Sequence, residues 1–287
     1  MKKLILSLCA MFMLLSASAA KKSVKIMTFN VRCVVEADGL NQWKNRKDYA
    51  VNLLKFYKPD LFGVQEATHQ QMVDIQAGLS DYAYVGVGRS DGKTGGEYSA
   101  IFYEKVRFEV KDSGTFWLAE GEKTNIPGSL GWDADYPRIA TWAIFKDKKT
   151  GKSFFYLNTH LDHIGVQARH NGAKLLLNFA KSHSKGLPVV MTGDFNAEPA
   201  DDPILVLTQP EDKSFVLTDS KSVSKLVYGP EGTFHDFGRI EFEKRPRLDY
   251  IFINGNMSVK YHAVLTDNLG KLYPSDHHPV IAKIEFE

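Results

Sequence analysis

The stretch VVMTGDFNAEP begins as an apolar run and then delivers Gly193, Asp194, Phe195 and Asn196 with no polar transition. Leaving either group buried and unpaired is costly, so partners must be present. Asp and Asn also make turns, and GDFN alone suits either role. The pattern recurs, however. Asn30 ends VKIMTFN, Glu66 follows LFGVQ, His160 and Asp162 continue SFFYLNT, Asp249 opens DYIFI, and Asp276 and His277 precede PVIAKIEF. Carboxylates gathered in one place repel one another, and a hard divalent cation is the simplest compensation. Oxygen donors without cysteine point to Mg²⁺ or Mn²⁺ rather than structural zinc. Two histidines beside such an ion suit phosphate-ester hydrolysis, with a carboxylate taking a proton from water and imidazole stabilising the developing charge.

The elements that must position these groups are mostly strands. Their polar residues lie at strand ends or in the adjoining loops, and in an extended strand Asn158, His160 and Asp162 share one face. Amphipathic helices lie between. Ala50, Leu53, Leu54 and Tyr57 recur with helical spacing, as do Ala173, Leu176, Leu177 and Ala180. Met72, Ile75 and Leu79 form a weaker stripe after Thr68, a candidate N-cap. AIFYEKVRFEV followed by TFWLAE reads as consecutive antiparallel strands. The fold expected is α/β, two packed mixed sheets flanked by helices, rather than a doubly wound parallel sheet. The loops 86–97 and 119–137 are long enough to border a cleft.

The segment MKKLILSLCAMFMLLSASAA has two lysines, an apolar stretch and small residues, which is the pattern of a signal peptide over residues 1–20, leaving a domain at 21–287. The apolar stretch is too short for a membrane span. Export to the periplasm or medium is expected. Losing Lys2 and Lys3 brings the 36 Lys and Arg to parity with the 34 Asp and Glu, so no global basic field argues for polynucleotide binding. Cys33 is then the sole cysteine, which excludes an internal disulfide.

In order along the chain, TFNVR, VQEA, YPRIATW, NTHLDH, GDFNAEP, RLDYIF and SDHHPV resemble the motifs of the endonuclease/exonuclease/phosphatase family, the deoxyribonuclease I-like superfamily. The resemblance implies a four-layer α/β sandwich and a metal site in which Glu66 is the main ligand, with Asn30 and Asp276 beside it. It implies that Asp194 orients or deprotonates the attacking water, with Asn196 as its partner. It further implies that His277 contacts the scissile phosphate, that Asp249 supports that imidazole, and that His160 and Arg138 bind phosphate. Arg46 and Trp43 lie where the family often holds substrate, Trp43 being equally suited to packing. Trp132 and Asp133 are ambiguous in the same way, and His163, His170 and His278 read as structural or solvated.

The chain departs from several branches. RPRLDYIF lacks the longer Trp-Cys-Asp-Arg motif of inositol polyphosphate 5-phosphatases, and Arg32 stands where abasic-site endonucleases usually carry an aspartate. GDFNAEP and SDHHPV are most similar to exported bacterial members grouped with the deadenylase-like branch. The expectation is a monomeric hydrolase of phosphodiesters, in nucleic acid or a smaller phosphorylated compound. The alternatives are a phosphomonoesterase, a sphingomyelinase-like diesterase, or a silent binding module on the same fold.

Overall fold

The computed structural model describes residues 23–286; the expected signal peptide lies outside the described residues. The strands are β1 (Ser23–Asn30), β2 (Leu61–Gln65), β3 (Tyr82–Val85), β4 (Ile101–Glu104), β5 (Phe108–Trp117), β6 (Ile139–Asp147), β7 (Ser153–His160), β8 (Val189–Asp194), β9 (Thr218–Asp219), β10 (Val227–Tyr228), β11 (Asp249–Asn254), β12 (Met257–Val264) and β13 (Val280–Phe286). The α-helices are α1 (Trp43–Tyr57), α2 (His69–Gly78), α3 (Val166–His183) and α4 (Asp202–Thr208). None among the described residues is long and apolar enough to cross a membrane.

The strands form two mixed sheets, one in the order β10-β12-β13-β1-β2-β4-β3 and the other β5-β6-β7-β8-β11-β9. Each is built around a central parallel pair, β1 with β2 and β7 with β8. Alternation along the central strands sorts their side chains into layers. Val24 and Ile26 of β1, Phe154 and Tyr156 of β7, Val190 of β8 and Ile251 of β11 meet between the sheets. Met27 and Phe29 face α1 and α2, and Phe155, Leu157, Val189 and Met191 face α3 and α4. The layers are therefore helix, sheet, sheet, helix, and the central strands are apolar on both faces because both are covered.

The helical stripes fall where their spacing predicts. Ala50, Leu53 and Leu54 are buried on α1, and Ala173, Leu176, Leu177 and Ala180 on α3. Thr68 and Gln71 cap α2 reciprocally.

One expectation fails. AIFYEKVRFEV and TFWLAE do not pair with each other: β4 belongs to the first sheet, whereas β5 is a single strand at the edge of the second. The polar KDSG stretch between the two expected strands stays extended, with an irregularity near Lys111 in its pairing to β6. Lys111, Asp112 and Ser113 are exposed, so on an edge strand their polarity reflects solvent and not chain reversal.

Below the site, the sheets are tied by a polar clamp. The Asn158 carboxamide donates to the Val64 and Ala100 carbonyls at 2.9 and 3.1 Å and accepts from Gln65 Nε2 at 2.7 Å. Gly63 makes room for it: a Cβ there would lie 2.2 Å from Asn158 Oδ1.

Candidate active site

The parity that places Ile26 and Val190 between the sheets also places Asn30 and Asp194 there, at the ends of β1 and β8. Likewise His160 ends β7 on the face of Tyr156, and Asp249 begins β11 on the face of Ile251. Because β7 and β8 run in parallel and β11 runs against them, His160, Asp194 and Asp249 are register partners at one edge. Gly193 permits the close approach of β7, since a Cβ there would lie 2.5 Å from the Thr159 carbonyl oxygen. The first sheet contributes Asn30, Glu66 just beyond β2, and the Asp276–His277 turn before β13.

Asp194 Oδ2 is the focus of this edge. It accepts from Asn30 Nδ2 at 2.9 Å and lies 3.6 Å from both His160 Nε2 and His277 Nε2. Its Oδ1 accepts the Asn196 backbone N–H at 2.9 Å. Asn30 Nδ2 also donates to Glu66 Oε1 at 2.9 Å, bridging carboxylates of opposite sheets. Asn30 Oδ1 accepts the Arg32 N–H at 2.9 Å, so in this arrangement the carboxamide ties the carboxylates together instead of offering a free oxygen to a cation. Glu66 and Asn196 both adopt left-handed backbone, φ 62° and 45°, strain held in place by these bonds.

Burial and neighbouring charge divide the titratable groups. Burial raises Asp194 to about 7, with the Asp249 charge adding to it and the His277 charge opposing. Burial opposes the charge on His277, but Asp249 and Asp194 outweigh it and raise the ring to about 10. His277 Nδ1 lies 2.8 Å from Asp249 Oδ2, and the ring is an imidazolium at neutral pH. His160 is driven the other way, by burial and then by Arg138, and stays neutral. Arg138 Nη1 can only donate, so His160 Nδ1 accepts at 3.1 Å, and Nε2 lies between the Asn196 carboxamide at 3.0 Å and Asp194 Oδ2 at 3.6 Å. Burial also works against ionised Glu66, but the Asn30 amide, the His277 charge and the Cys33 N–H hold its pKa below the ordinary value.

Carboxylate and imidazole atoms of Glu66, His160 and Asp194 lie within 4.8 Å of one another, as do those of Asp194, Asp249 and His277. Burial holds Asp276 above the ordinary carboxylate range, with Glu66 adding and His277 opposing. These carboxylates are short of compensating charge, and oxygen donors fit a hard divalent cation.

Glu66, His160, Asp194, Asp276 and His277 line a cavity of about 560 Å³. Arg138 and Asn196 also line it. Arg138 is buried, donating to Asp162 Oδ2 at 3.2 Å and to His163 Nδ1 at 2.9 Å, while Asn196 Nδ2 lies 3.0 Å from His160 Nε2. Asp162 sits beyond the end of β7, so it does not extend the Asn158 and His160 face but anchors Arg138.

Two expected substrate contacts lie elsewhere. Arg46 is fully buried, and its guanidinium donates to the carbonyls of Val31, Arg32, Asn41 and Pro274 at 2.6 to 2.9 Å. It fixes the backbone leading to Asp276 and, fully buried, does not line this cavity. Trp43 is buried and donates from Nε1 to Asp74 at 2.7 Å, away from this cavity. Asp133 caps α3 through Gln167 and Ala168 N–H. Conversely, His163 lines the cavity, together with Arg32 and Tyr136 from the TFNVR and YPRIATW motifs and with Arg89 and Glu97, for which the only signal was loop length.

Residues 27–277 match the Endonuclease/Exonuclease/phosphatase family. The chain belongs to that family. A family member of known structure from Bacteroides vulgatus is 43% identical, with a TM-score of 0.88 over 92% of this chain and 99% of that one. A mannosyl-6-phosphatase from Bacteroides thetaiotaomicron is 35% identical, with a TM-score of 0.83 over 92% of this chain and all of that one, 100%. Drosophila melanogaster Nocturnin is 27% identical over 187 residues, 60% of this chain but only 26% of Nocturnin. The chain is thus a phosphoesterase-type hydrolase of this family.

Proposed function

We propose that this family member is a divalent-metal-dependent phosphomonoesterase acting on a small, soluble phosphate ester. The observation that carries the reading is Asp194 Oδ2, held by Asn30 between a neutral and a charged imidazole at the floor of the cavity. Mg²⁺ or Mn²⁺, held by Glu66 with Asp194 or Asp276, would supply charge to neutralise phosphoryl oxygens. The protein's own groups do the rest. Asp194, with a proton affinity near neutrality, accepts a proton from the attacking water. The His277 imidazolium, oriented by Asp249, stabilises the charge that develops as the new P–O bond forms and the bond to the leaving oxygen breaks. Arg138 holds the phosphate and, with burial, keeps His160 neutral.

The monoester is favoured over the diester expected from sequence by similarity to a mannosyl-6-phosphatase, 35% identical along the described chain. Export remains part of the proposal and rests on the MKKLILSLCAMFMLLSASAA segment. The substrate class is tested by one parallel assay with Mg²⁺ of a hexose 6-phosphate, a dinucleotide, poly(A) RNA, plasmid DNA and sphingomyelin, with Asp194→Asn as blank. Release of inorganic phosphate from the monoester is expected. Cleavage confined to the dinucleotide or polymers would restore the phosphodiester reading, and cleavage of lipid alone the sphingomyelinase-like one.

A further inference from the structure

One wall of the cavity belongs to no part of the hydrolytic centre. Loop 86–97 brings Arg89 and Glu97 together, with Arg89 Nη2 donating to Glu97 Oε1 at 2.8 Å. The Arg89 guanidinium lies 5.2 Å from the Tyr136 ring centroid, and Tyr136 stacks on His163 at 6.0 Å. Tyr136 is 47% exposed, whereas the Arg89 and Glu97 side chains are only 11% and 20% exposed.

The Arg89–Glu97 pair is not needed to shape its loop. Backbone bonds from Gly88 to Lys93, Arg89 to Glu97, Ser90 to Gly95 and Tyr98 to Ala67 already do so. Holding a carboxylate beside Glu66 in a half-buried wall carries a cost: burial raises Glu97 to about 7, Arg89 opposing and Glu66 adding to it. Among the described residues, Glu97 Oε2 and the Arg89 Nε and Nη1 groups have no hydrogen-bond partner. An acceptor and several donors are therefore fixed side by side next to a half-exposed aromatic ring. A hydroxyl group both donates and accepts, so a pair of neighbouring hydroxyls can bond to such a carboxylate and guanidinium together. The apolar face of a sugar ring can cover the tyrosine.

We propose that Glu97, Arg89 and Tyr136 form a leaving-group subsite that recognises the hydroxyls and ring face of a sugar-like phosphomonoester and sets the preference for it. This rests on the phosphomonoesterase reading and adds the residues that choose the alcohol.

The test compares mannose 6-phosphate with p-nitrophenyl phosphate, whose leaving group has no hydroxyls to recognise. Glu97→Gln and Arg89→Met are expected to lower kcat/KM for the sugar phosphate at least tenfold more than for the aryl phosphate. Tyr136→Ala, at an exposed position where folding is safe, is expected to do so at least threefold more. Equal losses on both substrates would overturn the subsite, because they indicate a general structural effect. Hydrolysis of the aryl ester without the sugar ester by the unaltered protein would overturn the subsite and leave the phosphomonoesterase reading standing. If neither monoester is hydrolysed, that reading falls, and calorimetric binding of mannose 6-phosphate decides the subsite separately. Binding at least tenfold weaker in Glu97→Gln would support it, and unchanged or absent binding would overturn it.

Discussion

Asn30 and Asp194 lie 164 positions apart on opposite sheets, yet the Asn30 carboxamide donates to Asp194 Oδ2 at 2.9 Å while also holding Glu66. This one side chain sets the spacing of the two carboxylates that face the cavity. Replacing it by Ala frees both and leaves the rest of the site in place. We expect kcat to fall roughly 10- to 100-fold, the usual cost of losing a group that orients a reacting one, with KM changing little. Steady-state kinetics on a phosphomonoester measures this, and a near-normal kcat would remove Asn30 from the account.

Asp249 acts on substrate only through His277. In Asp249→Asn the imidazolium loses its 2.8 Å carboxylate partner, so the ring pKa is expected to drop clearly below about 10 and kcat to fall at least ~10²-fold. NMR titration of the His277 ring reads the first effect independently of turnover. A ring still protonated at pH 9 in the variant would contradict the assignment of its charge to Asp249.

Arg46 is a stability residue. Arg46→Met takes a donor from four carbonyls, of which that of Arg32 keeps the Gln71 carboxamide, and is expected to cost at least about 3 kcal/mol, read as a lowered urea midpoint. Arg46→Lys should recover little of it, since an ammonium cannot span the same fork of acceptors. A loss of substrate binding with unchanged stability would return Arg46 to the substrate-binding role expected from its place in the sequence.

Acid should destabilise the fold through His262, which does not line the catalytic cavity. Burial first, and then Arg247, lower this ring to about 4; Nδ1 pairs with Ser220 Oγ at 3.0 Å and Nε2 has no partner. Between pH 6.5 and 4 the unfolded chain binds the proton and the folded one does not, so stability falls as pH falls through that window. The contribution between pH 7.5 and 5.0 is about 2 kcal/mol. His262→Gln keeps a partner for Ser220 but cannot titrate, and should lose that share of the pH dependence. An identical dependence in the variant would sink the assignment.

Much of the catalytic edge was legible because the chain repeats one device. An apolar strand with both faces covered ends in a polar residue, and that residue inherits the parity of the apolar ones facing the other sheet. Thus Ile26 leads to Asn30, Tyr156 to His160, and Val190 to Asp194. What sequence could not supply was the destination of residues in irregular segments. Arg46 reads as a cation near the first loop, but only the fold shows four carbonyls converging on it. Arg89 and Glu97 lie in a Gly-rich loop with no periodicity, and nothing in their spacing tells which cavity they face. β5 was misread because exposure on an edge strand and chain reversal both favour polar residues.

The central claim is that the Asp194–His277 edge hydrolyses phosphate monoesters with the help of a divalent cation. Its most direct measurement is inorganic phosphate released from mannose 6-phosphate by purified protein, after EDTA treatment and again after addition of Mg²⁺ or Mn²⁺, with Asp194→Asn in parallel. Turnover is expected to be abolished by chelator, restored by either ion in the unaltered protein, and at least ~10²-fold lower in Asp194→Asn with the ion present. Full turnover in chelator, or a folded Asp194→Asn protein as active as the unaltered one, would contradict it.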